Sequence, residues 1–342
     1  MRIRSCPILA LSCLLAILAA GAAVDVRLWT TETKGEDIYF IWVDGGRILN
    51  GENPYARVLS GNMRDNDKYA TYFPVFFELS ALTQWIGLHD FEPWVAFWRV
   101  IFLLFDLAIA TTLFLVIYPY GGWIGAGFAA AFWMFSRWTL HVTQIAHLDF
   151  IAIFLMIASL SLFRTRRRTA LLLFSLSLGV KQIAIFLLPL YLIWTWQTAG
   201  KERLKETLKA ALIIASVPFI SSLPFLIWNA EGIIKSVAFS ATRNPVDHFS
   251  VPSLDGLLGW LGLPAKVPML VLLLGVYGLA WRSKLGIYTA SLFTMSVFLN
   301  FNSVLFRQYL AWIIPLVPLA MLDLWQPPAR LVTPAAHQDQ PV

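Results

Sequence analysis

The apolar positions of this chain run in long, nearly unbroken stretches with short polar breaks between them. A transmembrane barrel would alternate apolar and polar residues over segments of ~10. Continuous runs such as Ile101–Tyr118 predict helices instead. A helix crossing ~30 Å of hydrocarbon needs ~20 apolar residues. The runs fall at 7–24, 73–88, 94–118, 121–135, 140–163, 169–180, 182–197, 210–228, 266–281, 285–300 and 309–325. Several are short, as spans are where helices line a cavity or break within a bilayer. The expected fold class is all-α: a polytopic transmembrane helical bundle of about ten or eleven segments over residues 1–325. A loose, polar, Pro-rich tail is expected over 326–342.

Two polar stretches interrupt the pattern, 25–72 and 229–265. The first carries Asp25, Glu32, Glu36, Asp37, Asp44, Glu52, Asp65 and Asp67, with turn signals at Gly45-Gly46 and Asn53-Pro54-Tyr55. A short amphipathic helix fits Ile38 to Asn50. Residues 1–24 have the form of a signal peptide: Arg2 and Arg4, an apolar run, then small residues. A retained first helix is the preferred reading, because the run approaches spanning length and the rest of the chain is itself membrane-like.

Composition sharpens the class. Apolar residues make up 58 % of the 342 and charged residues 13 %. Soluble domains are nearer ~45–50 % and ~25 %. That excludes an ordinary cytosolic enzyme, a disordered chain and a disulfide scaffold. The net charge of +6 does not point to nucleic acid. Most basic residues stand in short clusters between apolar runs, where they report orientation. Arg2/Arg4, Arg164–Arg168, Lys201–Lys209 and Arg282/Lys284 are expected inside, with both termini. Residues 25–72, 229–265 and 301–308 then lie outside. With 94–118 running outward, 121–135 and 140–163 cannot both be simple crossings, which predicts a broken or re-entrant element between 119 and 149.

Ionisable groups inside or at the edge of a bilayer are functional candidates, since a charge at a helix centre costs ~2.5–3.5 kcal/mol. The candidates are Glu36, Asp37, Glu78, Arg99, Asp106, His147, Asp149, Lys181, Arg243, Asp247, His248 and Arg307. Asp37 precedes the apolar Ile38-Tyr39-Phe40, which would pin it near the membrane surface; the alternative is a solvated acid or helix N-cap. Lys181, between two short apolar runs, must snorkel or find an anion. His147 and Asp149, two apart, would not share a helix face, and metal-ligand spacings are missing around them. Tyr69, Tyr72 and Phe73 read as an aromatic belt. No Walker loop, GxSxG or GxGxxG occurs.

In order along the chain stand Asp37-Ile38-Tyr39, Gly51-Glu52-Asn53-Pro54-Tyr55, Tyr72-Phe73-Pro74, Phe102–Leu107, His147-Leu148-Asp149, Gly179-Val180-Lys181 with Leu188-Pro189, Arg243, and Phe301-Asn302 with Gln308-Tyr309. In that order and arrangement the chain resembles the GT-C superfamily of integral-membrane glycosyltransferases, over roughly residues 7 to 323. The polyprenol-phosphate-mannose-dependent mannosyltransferases are the nearest group. The resemblance implies a polyprenyl-phosphate sugar donor and a lipid- or glycan-linked acceptor, joined at the extracytoplasmic face with no cofactor; the absence of Asn-x-Ser/Thr sequons and the short tail fit a bacterial inner membrane better than the endoplasmic reticulum. It implies Asp37 as general base. Lys181, Arg243, His248 and Arg307 become the partners for the leaving phosphate, and Asn53, Tyr55, His147, Asp149 and Gln308 further substrate-binding positions. Glu36-Asp37 are adjacent where a more distant eukaryotic group that the chain also resembles, the glycosylphosphatidylinositol mannosyltransferases I, has two acids two apart, which argues against a metal-binding pair. The rival classes are a transporter or lipid flippase, and a non-catalytic membrane scaffold.

Overall fold

Nearly every apolar run of the sequence is a helix in the computed structural model, which describes residues 7–30, 36–61, 69–242, 253–260, 263–302 and 305–325. The helices are α1 (Pro7–Leu28), α2 (Asp37–Leu49), α3 (Val75–Trp85), α4 (Phe91–Met134), α5 (Arg137–Gln144), α6 (Asp149–Leu162), α7 (Arg167–Val180), α8 (Leu188–Thr198), α9 (Arg203–Thr242), α10 (Leu254–Leu257), α11 (Val267–Trp281), α12 (Ile287–Asn300) and α13 (Leu316–Trp325). No β-strand occurs among the described residues, so the all-α expectation holds. Among the described residues four helical stretches are long and apolar enough to cross a membrane: Pro7–Leu28, Phe91–Met134, Gly200–Phe239 and Pro264–Trp281. Large apolar side chains stand exposed on the flanks, among them Leu104, Leu115, Phe128, Leu212, Ile220 and Leu274. A soluble monomer rarely shows so much apolar surface, so these features suggest a membrane protein.

The unexplained stretch at 119–149 resolves into two devices. The first is a reversal inside α4. Gly122 has φ 59° and ψ −168°, a conformation essentially reserved for glycine, and follows Pro119. The chain folds back there. Trp133 Nε1–H donates to Asp106 Oδ1 at 2.6 Å, although the two are 27 residues apart. In one straight helix they would stand ~40 Å apart. The returning half runs alongside α1 in the same direction: Gly127 abuts Cys13, and Gly21 abuts Met134. The first half of α4 is therefore antiparallel to α1, the reverse of the direction the sequence reading assumed. The second device is α5, a two-turn helix between α4 and α6.

α3 also departs from expectation. It packs on α2, with Ser80 Oγ donating to Ile41 O at 3.1 Å and Gln84 Nε2 to Trp42 O at 2.8 Å. Its 11 residues rise only ~16 Å. The amphipathic helix expected over 38–50 is α2 itself, and Asp44 on it is buried. Asp25, counted with the solvated loop acids, is instead buried at the end of α1 and accepts from Thr143 Oγ1 at 3.1 Å. Residues 229–242, expected as loop, continue α9 past a bend at Asn229, whose Oδ1 accepts from Gly232 N at 2.9 Å. Gly232 lies so close to the backbone of Tyr55 that a Cβ would come 2.8 Å from its carbonyl oxygen.

Among the described residues the basic clusters Arg164–Arg168, Lys201–Lys209 and Arg282/Lys284 gather at one end. Arg167 bonds Thr198, Gln197 Nε2 donates to Trp281 O at 2.8 Å, and Thr289 N donates to Asp323 Oδ2 at 2.7 Å. Asp149 begins α6 and Lys181 follows α7, whereas the turn joining these helices carries Arg164 and Arg166. Fourteen residues of helix put Asp149 and Lys181 ~20 Å from that turn, at the opposite end. The tail 326–342 and residues 1–6 lie outside the described residues.

Candidate functional site

Asp37 is the first residue of α2, after Glu36, which stands at the N-cap and makes no side-chain capping bond. A carboxylate in the first turn is favoured by the exposed N–H groups there. Asp37 is not held by its own helix alone. Its Oδ2 accepts from Tyr72 Oη–H at 3.1 Å and lies 3.2 Å from His147 Nε2. Tyr72 is fixed in turn. Tyr55, fully buried, donates its hydroxyl to Tyr72 O at 2.7 Å, and Gln182 Nε2 donates to Thr71 O at 2.6 Å. Asn53 starts the short turn that carries Tyr55, its Oδ1 accepting from Tyr55 N at 3.0 Å. Asn53 and Tyr55 thus act on the site by placing Tyr72.

His147 arrives by a helix C-cap. Ala146 N donates to Thr143 O and His147 N to Val142 O, both at 3.2 Å, the paired bonds of a Schellman ending. The position that favours glycine in this motif is Ala146, at φ 50°. The turn swings His147 off α5 and back over the start of α6, where Asp149 is the first residue. This is how two residues two apart meet: they do not belong to one helix. His147 Nδ1 lies 3.2 Å from Asp149 Oδ2. The end of α5 is held from behind by the Thr143–Asp25 bond and by Arg99, which reaches the carbonyls of Thr143 and Gln144 at 3.5 Å.

Asp149 is the centre of the buried part. Lys181 Nζ stands 2.7 Å from its Oδ1, and neither side chain has any exposed surface. Trp312 Nε1–H donates to the same oxygen at 3.1 Å. The ammonium also faces the rings of Tyr72 at 5.0 Å and Tyr309 at 5.2 Å, within cation–π range. Lys181 Nζ sits off the hydrogen-bonding direction of Asp149 and makes no hydrogen bond among the described residues, so the contact is an ion pair held by charge and packing. The anion that the sequence required for Lys181 is thus supplied by Asp149.

Asp37, His147, Asp149 and Lys181 therefore form one continuous row, drawn from four places in the chain. Only its first member meets solvent: Asp37 is 22 % exposed and His147 1 %. Burial and the Lys181 charge work against a charged imidazole, but Asp149 and Asp37 outweigh them and hold His147 above the ordinary histidine range. With His147 charged, the row carries two positive and two negative groups and is neutral only because the half-buried Asp37 completes it.

Beside the row is an apolar cavity of about 700 Å³ between α7, α8 and the two limbs of α9. Phe73 and Ile185, neighbours of Tyr72 and Lys181 in the chain, line it with Leu188, Ile214, Pro218 and Ile233. Pro218 leaves the carbonyl of Ile214 without its helical donor. Ser175 Oγ–H supplies one at 2.8 Å, which lets α9 keep its course past the cavity.

The other expected positions separate. Arg307 is exposed, and Gln308 is buried on the short turn that carries Tyr309 and Trp312. Arg243 and His248 lie outside the described residues. Sequence reasoning missed Tyr72 and Trp312 as hydrogen-bond donors and Tyr309 as a ring facing the Lys181 ammonium. They look like belt aromatics, and only the Tyr72 hydroxyl, the Trp312 indole N–H and the Tyr309 ring face distinguish the roles. The chain matches no known family model and no curated protein.

Proposed function

We propose that this chain is an integral-membrane glycosyltransferase of the GT-C type, a polytopic bundle that moves a hexose, mannose foremost, from a polyprenyl-phosphate donor to a lipid- or glycan-linked acceptor. The observation that carries the reading is the placement of Asp37. It is the only partly exposed member of an otherwise buried charged row, and its partner Tyr72 is followed in the chain by Phe73, which lines an apolar cavity of a size suited to a lipid chain. In this reading the basic end is cytoplasmic and the Asp37 end extracytoplasmic.

The chemistry is one displacement. The acceptor oxygen bonds to the anomeric carbon as the bond from that carbon to the phosphate oxygen breaks. The electron pair leaves with the phosphate. The hydroxyl proton passes to the Asp37 carboxylate, a step worth ~10²–10⁴-fold. A single displacement inverts the sugar. The departing phosphate gains charge and calls for a cation. Arg307 is exposed at the rim, on the same turn as Tyr309, and is the first candidate. Lys181, buried against Asp149, acts from behind.

The test is transfer of labelled sugar from polyprenyl phosphates in membranes containing the protein. Asp37→Asn keeps size and hydrogen bonding but cannot take a full proton, so it should insert, bind donor and transfer ~10²-fold or more below wild type. Glu36→Gln should stay active. Activity retained in Asp37→Asn removes the base. The second reading, a proton-coupled transporter or flippase, draws on the separate buried acids Asp25 and Asp106. It would gain if vesicles carrying the protein moved substrate with a pH gradient while no sugar was transferred.

A further inference from the structure

We propose that His147 is a positioning residue that sets the orientation of the Asp37 carboxylate and never touches substrate itself. The inference rests on the reading of Asp37 as the base. It departs from the substrate-binding role that the sequence pattern suggested for His147.

Three observations carry it. His147 is 1 % exposed, so an acceptor or donor cannot reach its ring without displacing Asp37. Its Nε2 lies 3.2 Å from Asp37 Oδ2, which shares that oxygen with the Tyr72 hydroxyl at 3.1 Å. Two donors converging on one oxygen from α5's end and from the 69–73 segment fix the plane of the carboxyl group, which a single bond would leave free to rotate. The ring itself has little freedom. The Schellman turn through Ala146 sets where it enters, and Asp149 Oδ2 stands 3.2 Å from Nδ1 on the far side.

Asp149 is in turn immobilised by Lys181 and Trp312. The rigidity of the bundle is thereby passed through His147 to a carboxylate that sits on a short helix of the surface. A base displaced by ~1 Å from its working geometry can lose ~10²-fold in rate, so a residue with this task is worth about that much without binding anything. The groups facing the imidazole are Asp37 from α2, Tyr72 from the 69–73 segment, Asp149 from α6 and Lys181 after α7, with His141 on α5 also close enough to be felt.

The experiment compares wild type, His147→Ala and His147→Gln as full-length protein in detergent, using a labelled polyprenyl-phosphate sugar, with helix content and elution volume as the folding control. His147→Ala should lose about 10²-fold in kcat with the donor KM within about threefold of wild type. The glutamine amide can place an N–H near the site of Nε2, so His147→Gln should regain at least about tenfold. A raised KM with kcat kept would make His147 a substrate ligand and overturn the proposal. So would a glutamine variant no better than alanine when both fold normally. A second arm needs no activity. The ¹⁵N resonance of His147 Nε2, identified by its loss in His147→Gln, should move in Asp37→Asn. An unmoved resonance defeats the His147 assignment itself, whereas a wild type inactive with every donor defeats the glycosyltransferase reading beneath it.

Discussion

Replacing Lys181 by methionine removes one half of an ion pair at 2.7 Å whose members are both fully buried. Breaking such a pair typically costs about 3–5 kcal/mol, because the surviving charge is left without compensation. Here the two halves should not cost the same. Asp149 without Lys181 still has the Trp312 indole at 3.1 Å and His147 at 3.2 Å, so Lys181→Met belongs at the low end, about 3 kcal/mol. Lys181 opposite Asp149→Asn would keep a neutral amide oxygen and the faces of Tyr72 and Tyr309 but no counter-charge, so that change belongs nearer 4–5 kcal/mol. The double variant leaves no orphaned charge on either side. It should cost well below the sum, with a coupling of about 3 kcal/mol. Equilibrium unfolding of all four proteins in mixed micelles, followed by circular dichroism, measures this. Additive losses, or a Lys181→Met cost below about 1 kcal/mol, would refute the pairing as the support of Asp149.

Other outcomes follow from single features. Burial pushes the Asp44 carboxyl up to about 6 despite its ion pair with Arg47. A raised carboxyl favours the fold while protonated, so this contribution is present below pH ~4 and is lost as pH rises through about 6. Wild type should lose about 1–1.5 kcal/mol from this group between pH 5 and 7.5, and Asp44→Asn should not; parallel slopes for the two would exclude it. Ala215→Phe intrudes on the apolar cavity and should raise the KM of a long-chain donor about tenfold, ~1.4 kcal/mol, and that of a short-chain analogue far less. Equal effects on both would separate the cavity from the donor chain. Ala146→Gly relieves a left-handed alanine and should stabilise by about 0.5 kcal/mol; a loss above about 1 kcal/mol would show that the methyl group matters more than the backbone.

Which parts were legible depended on whether local pattern or partner decided them. Helix existence came from apolar runs, and each run reappears as a helix or a helix with a short turn. Direction did not. The runs 94–118 and 121–135 are separate in the sequence and the first is expected to run outward, but the contacts of the returning half with α1 set it the other way, with the turn at Gly122. α3 has the composition of a span, and it is Ser80 and Gln84 meeting α2 that reveal its role. At the site, charge in apolar surroundings singled out Asp37, His147, Asp149 and Lys181. Their mutual contacts could not be read, since His147 meets Asp149 only because a helix ends between them. Tyr72 and Trp312 were hidden because an aromatic ring serves a membrane edge and a hydrogen bond equally well.

The reversal at Gly122 also bears on how the chain would enter a bilayer. Between Asp106 and Arg137 there is no charged residue, so the turn Tyr118-Pro119-Tyr120-Gly121-Gly122 offers insertion machinery nothing to retain on one side. The two limbs of α4 are coupled by the Asp106–Trp133 bond and by the near approach of Ile117 to Gly125. They are suited to enter together as a hairpin, crossing and returning, which leaves the sidedness of all later helices unchanged. Orientation then rests on Arg164–Arg168 and the basic clusters beyond it. A side chain at position 122 would do more than strain one residue: by opposing the reversal it would set the hairpin against those clusters during synthesis, before the Asp37–Lys181 row has been assembled.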